Sequence, residues 1–213
     1  MRKPKLLDLF CGAGGCSMGY HLAGYKVIGV DINPQKRYPF EFIQADALEY
    51  VVKYGKDYDV IHASPPCQAY SITKSLTSKD YPDLVEPTRN VLLSIGKPYI
   101  IENVPGAPLI NSLKLCGTMF KLRVIRHRLF EIWPHPIYFP PNQCQHIGKA
   151  SGNANYIGKE RDLDHYEYLT ITGHDFKVAD AKIAMGIDWM IGKELSQAIP
   201  PAYTKWVGEQ LIE

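Results

Sequence analysis

The chain has 213 residues, with 24 Lys and Arg against 22 Asp and Glu, a formal net charge of +2, and 46% hydrophobic residues. These values fit one ordinary globular domain, or one domain with a small insertion. They exclude a disordered chain, a large repeat array and a histone-like mode of binding by bulk charge, while a local basic cleft within the near-neutral total stays open.

In chain order, Met1-Arg2-Lys3-Pro4-Lys5 starts like a secretory signal, but Asp8 interrupts the apolar stretch and glycines follow. Leu6-Leu7-Asp8-Leu9-Phe10 reads as a strand ending in a glycine turn, and 16–23 as a helix. Residues 26–31 form a β-branched second strand ending in Asp31, and 40–44 a third with Asp46 just beyond it. A helix over 47–54, a strand over 58–63, a helix over 86–95 and a strand over 99–103 complete a βαβα rhythm. That rhythm predicts an α/β fold with a mostly parallel sheet and helices on both faces. Residues 122–133 read as one long strand. From 134 to 177 the chain is rich in Pro, Gly, Asn, Tyr and His without a period, and is expected to be a small inserted subdomain or a set of long loops. Helices are expected again over 178–186 and 201–212. No apolar run reaches the roughly 18 residues that span a bilayer, so no membrane contact is expected. The five scattered cysteines, odd in number, fit free thiols in a reducing compartment, and the expected location is cytoplasmic.

The chemistry concentrates at strand ends. Asp8-Leu9-Phe10-Cys11-Gly12-Ala13-Gly14-Gly15 joins the first strand to the first helix, where glycines let a ligand approach the backbone and a helix N-terminus favours an anionic group. Asp31 and Asp46 fall at the same sheet edge, which suits ribose hydroxyls and an adenine amine. That much fits either NAD or S-adenosylmethionine. Ser64-Pro65-Pro66-Cys67-Gln68 then places a thiol over this edge, and Glu102-Asn103-Val104 places a carboxyl beside it that burial is expected to keep protonated. Arg126 and Arg128 alternate on a strand and share a face, suiting a phosphate or a carbonyl oxygen. Cys116, among Leu113, Leu115 and Met119, reads as a buried structural cysteine. Cys144-x-His146 with His135 nearby matches no zinc spacing well, so no metal is expected.

Four of these segments, in this order, resemble the motifs of the cytosine-5 DNA methyltransferases: Asp8 to Gly15, Pro65-Pro66-Cys67-Gln68, Glu102-Asn103-Val104, and Arg126-His127-Arg128 as the end of Gln-x-Arg-x-Arg. The resemblance covers 5–133 well and 178–213 loosely. It implies a Rossmann-like S-adenosylmethionine-dependent methyltransferase fold, with a catalytic core over 1–133 and 178–213 and a short target-recognition insert over 134–177. It implies that Cys67 adds to C6 of a flipped-out cytosine, that Glu102 bonds the ring, and that Arg126 and Arg128 hold the base carbonyl or the target phosphate. Phe10, Gly12, Gly14, Gly15, Asp31, Ile32, Asp46, Ala47, Pro66 and Gln197 would hold the cofactor. Gln68, Ser71 and Lys74, the last two in a polar loop over 69–88, and Thr170 and Thr172, in a Thr-x-Thr element, would touch nucleic acid. The implied partner is double-stranded DNA, bound by a monomer.

The chain departs from the family pattern in two places. Val124 stands where the family has the glutamine of its arginine motif, and Ser196-Gln197-Ala198-Ile199-Pro200 replaces Gly-Asn-Ser/Ala-Val-Pro. Asn142, Gln143, Gln145, His146, Lys149, Asn153, Asn155, Tyr156, Lys159 and Arg161 are candidates for groove contacts. The same chemistry on RNA, a non-catalytic nucleic-acid-binding module and an NAD-dependent oxidoreductase are the competing readings. The last leaves Pro-Pro-Cys-Gln unexplained and lacks Gly-x-Gly-x-x-Gly spacing.

Overall fold

The computed structural model describes residues 2–68, 70, 82–137, 139–151 and 162–212. Ser71 and Lys74 lie outside them, as do Asn153, Asn155, Tyr156, Lys159 and Arg161. The elements are β1 (Lys5–Leu9), α1 (Gly15–Leu22), β2 (Lys26–Asp31), β3 (Glu41–Gln44), α2 (Ala47–Tyr54), β4 (Val60–Ala63), α3 (Val85–Ile95), β5 (Tyr99–Asn103), β6 (Leu113–Leu115), β7 (Arg128–Trp133), α4 (Val178–Met185), α5 (Gly192–Gln197) and α6 (Pro201–Ile212).

Seven strands form one sheet in the order β3-β2-β1-β4-β5-β7-β6. The first five are parallel, with Leu6 opposite Val27 on one side and Val60 on the other. β7 runs antiparallel to β5, with Glu102 opposite Phe130, and β6 runs antiparallel to β7.

Side chains alternate across a strand, so each strand feeds two cores. Leu6, Val27, Val60, Ile100 and Phe130 face α1 and α6. Leu7, Ile28, Ile61, Ile101 and Leu92 of α3 form the core on the other face, with Ala47 and Val51 of α2. The predicted helices on both faces are therefore present. α1 and α6 approach closely because Gly19 has no Cβ; one placed there would meet Thr204 Oγ1 at 2.1 Å and Pro201 O at 2.2 Å. Pro201 opens α6, where its missing N–H costs nothing. On the other face, Arg89 of α3 donates from Nε and Nη2 to Glu131 of β7, both at 2.8 Å, and this pair is buried.

The structure corrects the expectations downstream of β5. The predicted strand over 122–133 is broken. Only Arg128–Trp133 belongs to the sheet, while Val124 makes an isolated parallel bridge to Leu169. Arg123 drives that departure by donating to the carbonyls of Leu163, Tyr166 and Glu167. β6 and α5 were not legible, one being three residues long and the other six. A third core joins Val124 to Tyr166, Leu169, Ile171 and Phe176 and on to Ala181, Met185 and Leu195. The later part of the insert thus shares its core with α4 and α5.

Candidate active site

The carboxyl ends of β1, β2, β4 and β5 open onto a cavity of about 390 Å³, lined by residues of the glycine turn, the end of β2, the Pro-Pro-Cys-Gln and Glu-Asn-Val segments, and Arg126 and Arg128. Open parallel sheets put ligands there because loops diverge from the strand ends and leave a crevice.

The glycine turn forms one wall. Gly12 has φ +50, and a Cβ built on it would meet nothing within 4 Å, so its backbone faces open cavity. Its N–H donates to Asp31 Oδ2 at 3.0 Å, and Asn33 N donates to Oδ1 at 2.9 Å. Phe10, Gly12, Gly15, Asp31, Ile32, Pro66 and Gln197 all line the cavity. Ile32 is 64% exposed, an apolar side chain left uncovered beside a carboxylate, as expected where a flat apolar ring is to lie.

Three residues expected at the cofactor do not line this cavity: Gly14, Asp46 and Ala47. Asp46 is the N-cap of α2 and accepts from Leu48 N and Glu49 N. Gly14 has φ +86, and a Cβ there would meet Pro39 at 2.9 Å and Tyr38 at 3.0 Å, so the turn and its packing account for it. Ala47 is buried in the core around α2.

The opposite wall carries the thiol and the carboxyl. The Ser64 N–H bonds Leu9 O at 3.1 Å, and Asn103 Nδ2 donates to Pro65 O at 2.9 Å, so β1 and β5 clamp the Pro-Pro-Cys turn from both sides. Cys67 is partly buried, and desolvation raises its thiol pKa, while Arg128 and Arg126 pull it down. Glu102 is 5% exposed, and desolvation raises its pKa too, opposed by Arg128 and by a hydrogen bond from Ser64. Arg128 Nε stands 3.2 Å from Glu102 Oε1.

Arg126 lines the cavity beside Arg128. Its Nη1 donates to Ile171 O and its Nη2 to Ser196 O, both at 2.8 Å, so it ties the insert and α5 to the site. Burial and the nearby Arg128 charge lower its pKa to about 9. Gln68 lines the cavity beside Cys67. Thr170 lies outside the lining and shares hydrogen bonds with Ser151; Thr172 is exposed.

Sequence reasoning missed the polar chain behind the carboxyl. Tyr20 OH and His62 Nδ1 are 2.9 Å apart, as are His62 Nε2 and Ser64 Oγ, and Ser64 in turn bonds Glu102. Burial lowers the His62 pKa to about 3, so the ring is neutral. A histidine inside the apolar run Val60-Ile61-His62-Ala63 was the available signal. Asp8 is fully buried at the cavity and bonds the Ser17 hydroxyl, and burial raises its pKa to about 7.

Outside this cavity, Cys116, His127, Cys144 and His146 place one ligating atom each within 4.8 Å of all the others. The expectation of no metal rested on Cys144, His146 and His135. The structure leaves His135 out and adds two residues distant in sequence.

Residues 4–109 match the family model described as C-5 cytosine-specific DNA methylase. The chain is 32% identical over 124 residues to the Type II methyltransferase M.XorII of Xanthomonas oryzae pv. oryzae, covering 50% of this chain and 29% of that protein. It is 32% identical over 115 residues to the Type II methyltransferase M.HindV of Haemophilus influenzae, covering 47% and 37%. The matched stretch thus spans about a third of the length of these relatives. The structure of the Entamoeba histolytica methyltransferase EhMeth aligns over 100% of this chain and 98% of that one, with a TM-score of 0.66 at 14% identity, which establishes the shared fold.

Proposed function

We propose that this chain, which belongs through residues 4–109 to the family of C-5 cytosine-specific DNA methylases, methylates C5 of cytosine in double-stranded DNA, acting as a monomer with S-adenosylmethionine as methyl donor. One observation carries the reading: Cys67, Glu102 and Arg128 share a single cavity with the glycine turn and Asp31.

The residues fit the donor. Asp31 would accept from ribose hydroxyls, Phe10 and Ile32 would flank the adenine, and Gly12, Gly15, Pro66 and Gln197 would border the amino-acid part. When bound, S-adenosylmethionine supplies an electrophilic methyl group.

The base must leave the duplex to reach this cavity, at a cost of a few kcal/mol in stacking and pairing. The Cys67 thiolate forms a bond to C6, and Glu102, protonated, donates to the ring nitrogen where electron density accumulates. Arg128 orients that carboxyl through the 3.2 Å contact and draws the thiol toward ionisation. C5 becomes nucleophilic and would take the methyl, the donor leaving as its demethylated thioether; the C5 proton then passes to solvent water and the C6–S electron pair returns to Cys67, which restores the aromatic base. The neutral His62 and Ser64 hold Glu102 from behind. We assign target contacts to 134–177, where Thr172 is exposed.

The test is transfer of labelled methyl to cytosine-containing duplex DNA, with tRNA in parallel. DNA labelling, its loss in Cys67→Ser, and a covalent adduct on 5-fluorocytosine DNA are expected. Labelling of tRNA alone moves the substrate to RNA; no transfer or adduct under saturating donor refutes the enzyme reading.

A further inference from the structure

We propose that the chain binds one structural Zn²⁺ through Cys116, His127, Cys144 and His146. The ligating atoms already converge: Cys144 Sγ is 3.0 Å from His146 Nε2 and 3.4 Å from His127 Nε2, and Cys116 Sγ is 3.4 Å from His146 Nε2. All four lie within 4.8 Å of one another, the one such group among the described residues. Zn–S and Zn–N bonds of about 2.3 and 2.0–2.1 Å on a tetrahedron put S and N about 3.6 Å apart, so closing around an ion needs shifts of about 1 Å.

The donor set selects the ion. Two sulfurs and two imidazoles suit zinc and disfavour magnesium and calcium, which take oxygen ligands. Four protein donors leave no open position, which makes the site structural. On binding, both thiols lose their protons to solvent, and the two thiolates neutralise the dication. Thr118 Oγ1 lies 3.6 Å from Cys116 Sγ and 3.7 Å from Cys144 Sγ, and it accepts from Gln145 N at 3.3 Å, so a hydroxyl already supports both sulfurs from behind.

The placement says what the ion does. Cys116 follows β6, and His127 sits between Arg126 and Arg128 at the start of β7, while Cys144 and His146 come from the insert. The ion pins the first part of the insert to the strand end that presents Arg128 to Glu102. Arg126 already ties the later part, at Ile171, to the same strand end. No four-ligand zinc spacing is visible along the chain because the ligands come from segments that only folding brings together.

Metal content of the full chain, purified under reducing conditions, reads this directly and independently of methyl transfer. About one zinc per chain is expected, falling about tenfold in Cys144→Ser and in His146→Ala, whose site is exposed, and unchanged in Cys67→Ser. Where a variant fails to fold, Co²⁺ substitution in the parent chain decides. Intense visible bands of tetrahedral Co²⁺ with thiolate charge transfer are expected, and a pale octahedral spectrum overturns the assignment. Less than about 0.2 zinc per chain after reloading, or full zinc in Cys144→Ser, overturns it equally.

Discussion

Replacing Glu131 with Ala tests how β7 is anchored. Glu131 accepts from Arg89 Nε and Nη2 and from Ile110 N, each at 2.8 Å, and from Tyr99 OH at 3.3 Å. Its side chain is 5% exposed and that of Arg89 10%, so solvent screening gives little relief. Removing the carboxylate strands a buried guanidinium whose remaining partner is Pro108 O at 2.7 Å. Breaking a buried pair from one side costs about 3–5 kcal/mol, whereas replacing both members with apolar residues of similar volume is often close to neutral. Glu131→Ala should therefore lower the unfolding free energy by about 3–5 kcal/mol in urea titrations. At about 2–4 °C per kcal/mol for a chain of this size, the Tm falls by about 6–20 °C. Arg89→Met with Glu131→Leu should recover most of that loss. A single variant within about 1 kcal/mol of the parent, or a double variant worse than either single one, would refute the account.

Four further outcomes follow from the site. Thiolate attack requires an ionised Cys67, whose pKa burial raises, together with a protonated Glu102, so single-turnover methyl transfer should rise with pH from 7 and level off once Glu102 loses its proton; a rate that falls from pH 7 upward contradicts this. Arg128→Ala should cut methyl transfer about 10²-fold or more, with donor affinity changed little in calorimetry, because the residue faces Glu102 and Cys67 and not Asp31; loss confined to donor binding would count against it. The unfolded chain protonates His62 near 6.5 but the buried ring resists until about 3, so His62 withdraws stability as pH falls through that window. Asp8, raised to about 7, acts with the opposite sign from 3.8 upward, so the readout is the difference between the parent and His62→Asn; equal slopes would exclude the buried neutral ring. Gly19→Val should destabilise by about 2 kcal/mol or more, because its side chain runs into Thr204 and Pro201 of α6; a neutral thermal melt would disprove that close approach.

The catalytic frame was legible because it rests on local signals. Short apolar runs that end in glycine, acid or proline announce strand ends, and in a parallel sheet all such ends reach one edge. Cys67, Glu102, Asp31 and Gly12 therefore meet where chain order alone placed them. The βαβα rhythm likewise determined the five parallel strands and the two helical faces. Tertiary structure decided whatever depends on partners distant in sequence. Alternation put Arg126 and Arg128 on one face, but only folding turned Arg126 toward the carbonyls of Ile171 and Ser196 while Arg128 reached Glu102. Asp46 carries the same carboxylate as Asp31 and also follows a strand, yet the N-terminus of α2 claims it. Cys116 read correctly as buried, but burial says nothing about which way a thiol points. Its convergence with His127, Cys144 and His146 needs β6, β7 and the insert to be folded against one another. Spacing along the chain encodes contacts within an element or one strand crossing; contacts across 10 to 30 residues of irregular backbone leave no periodic trace.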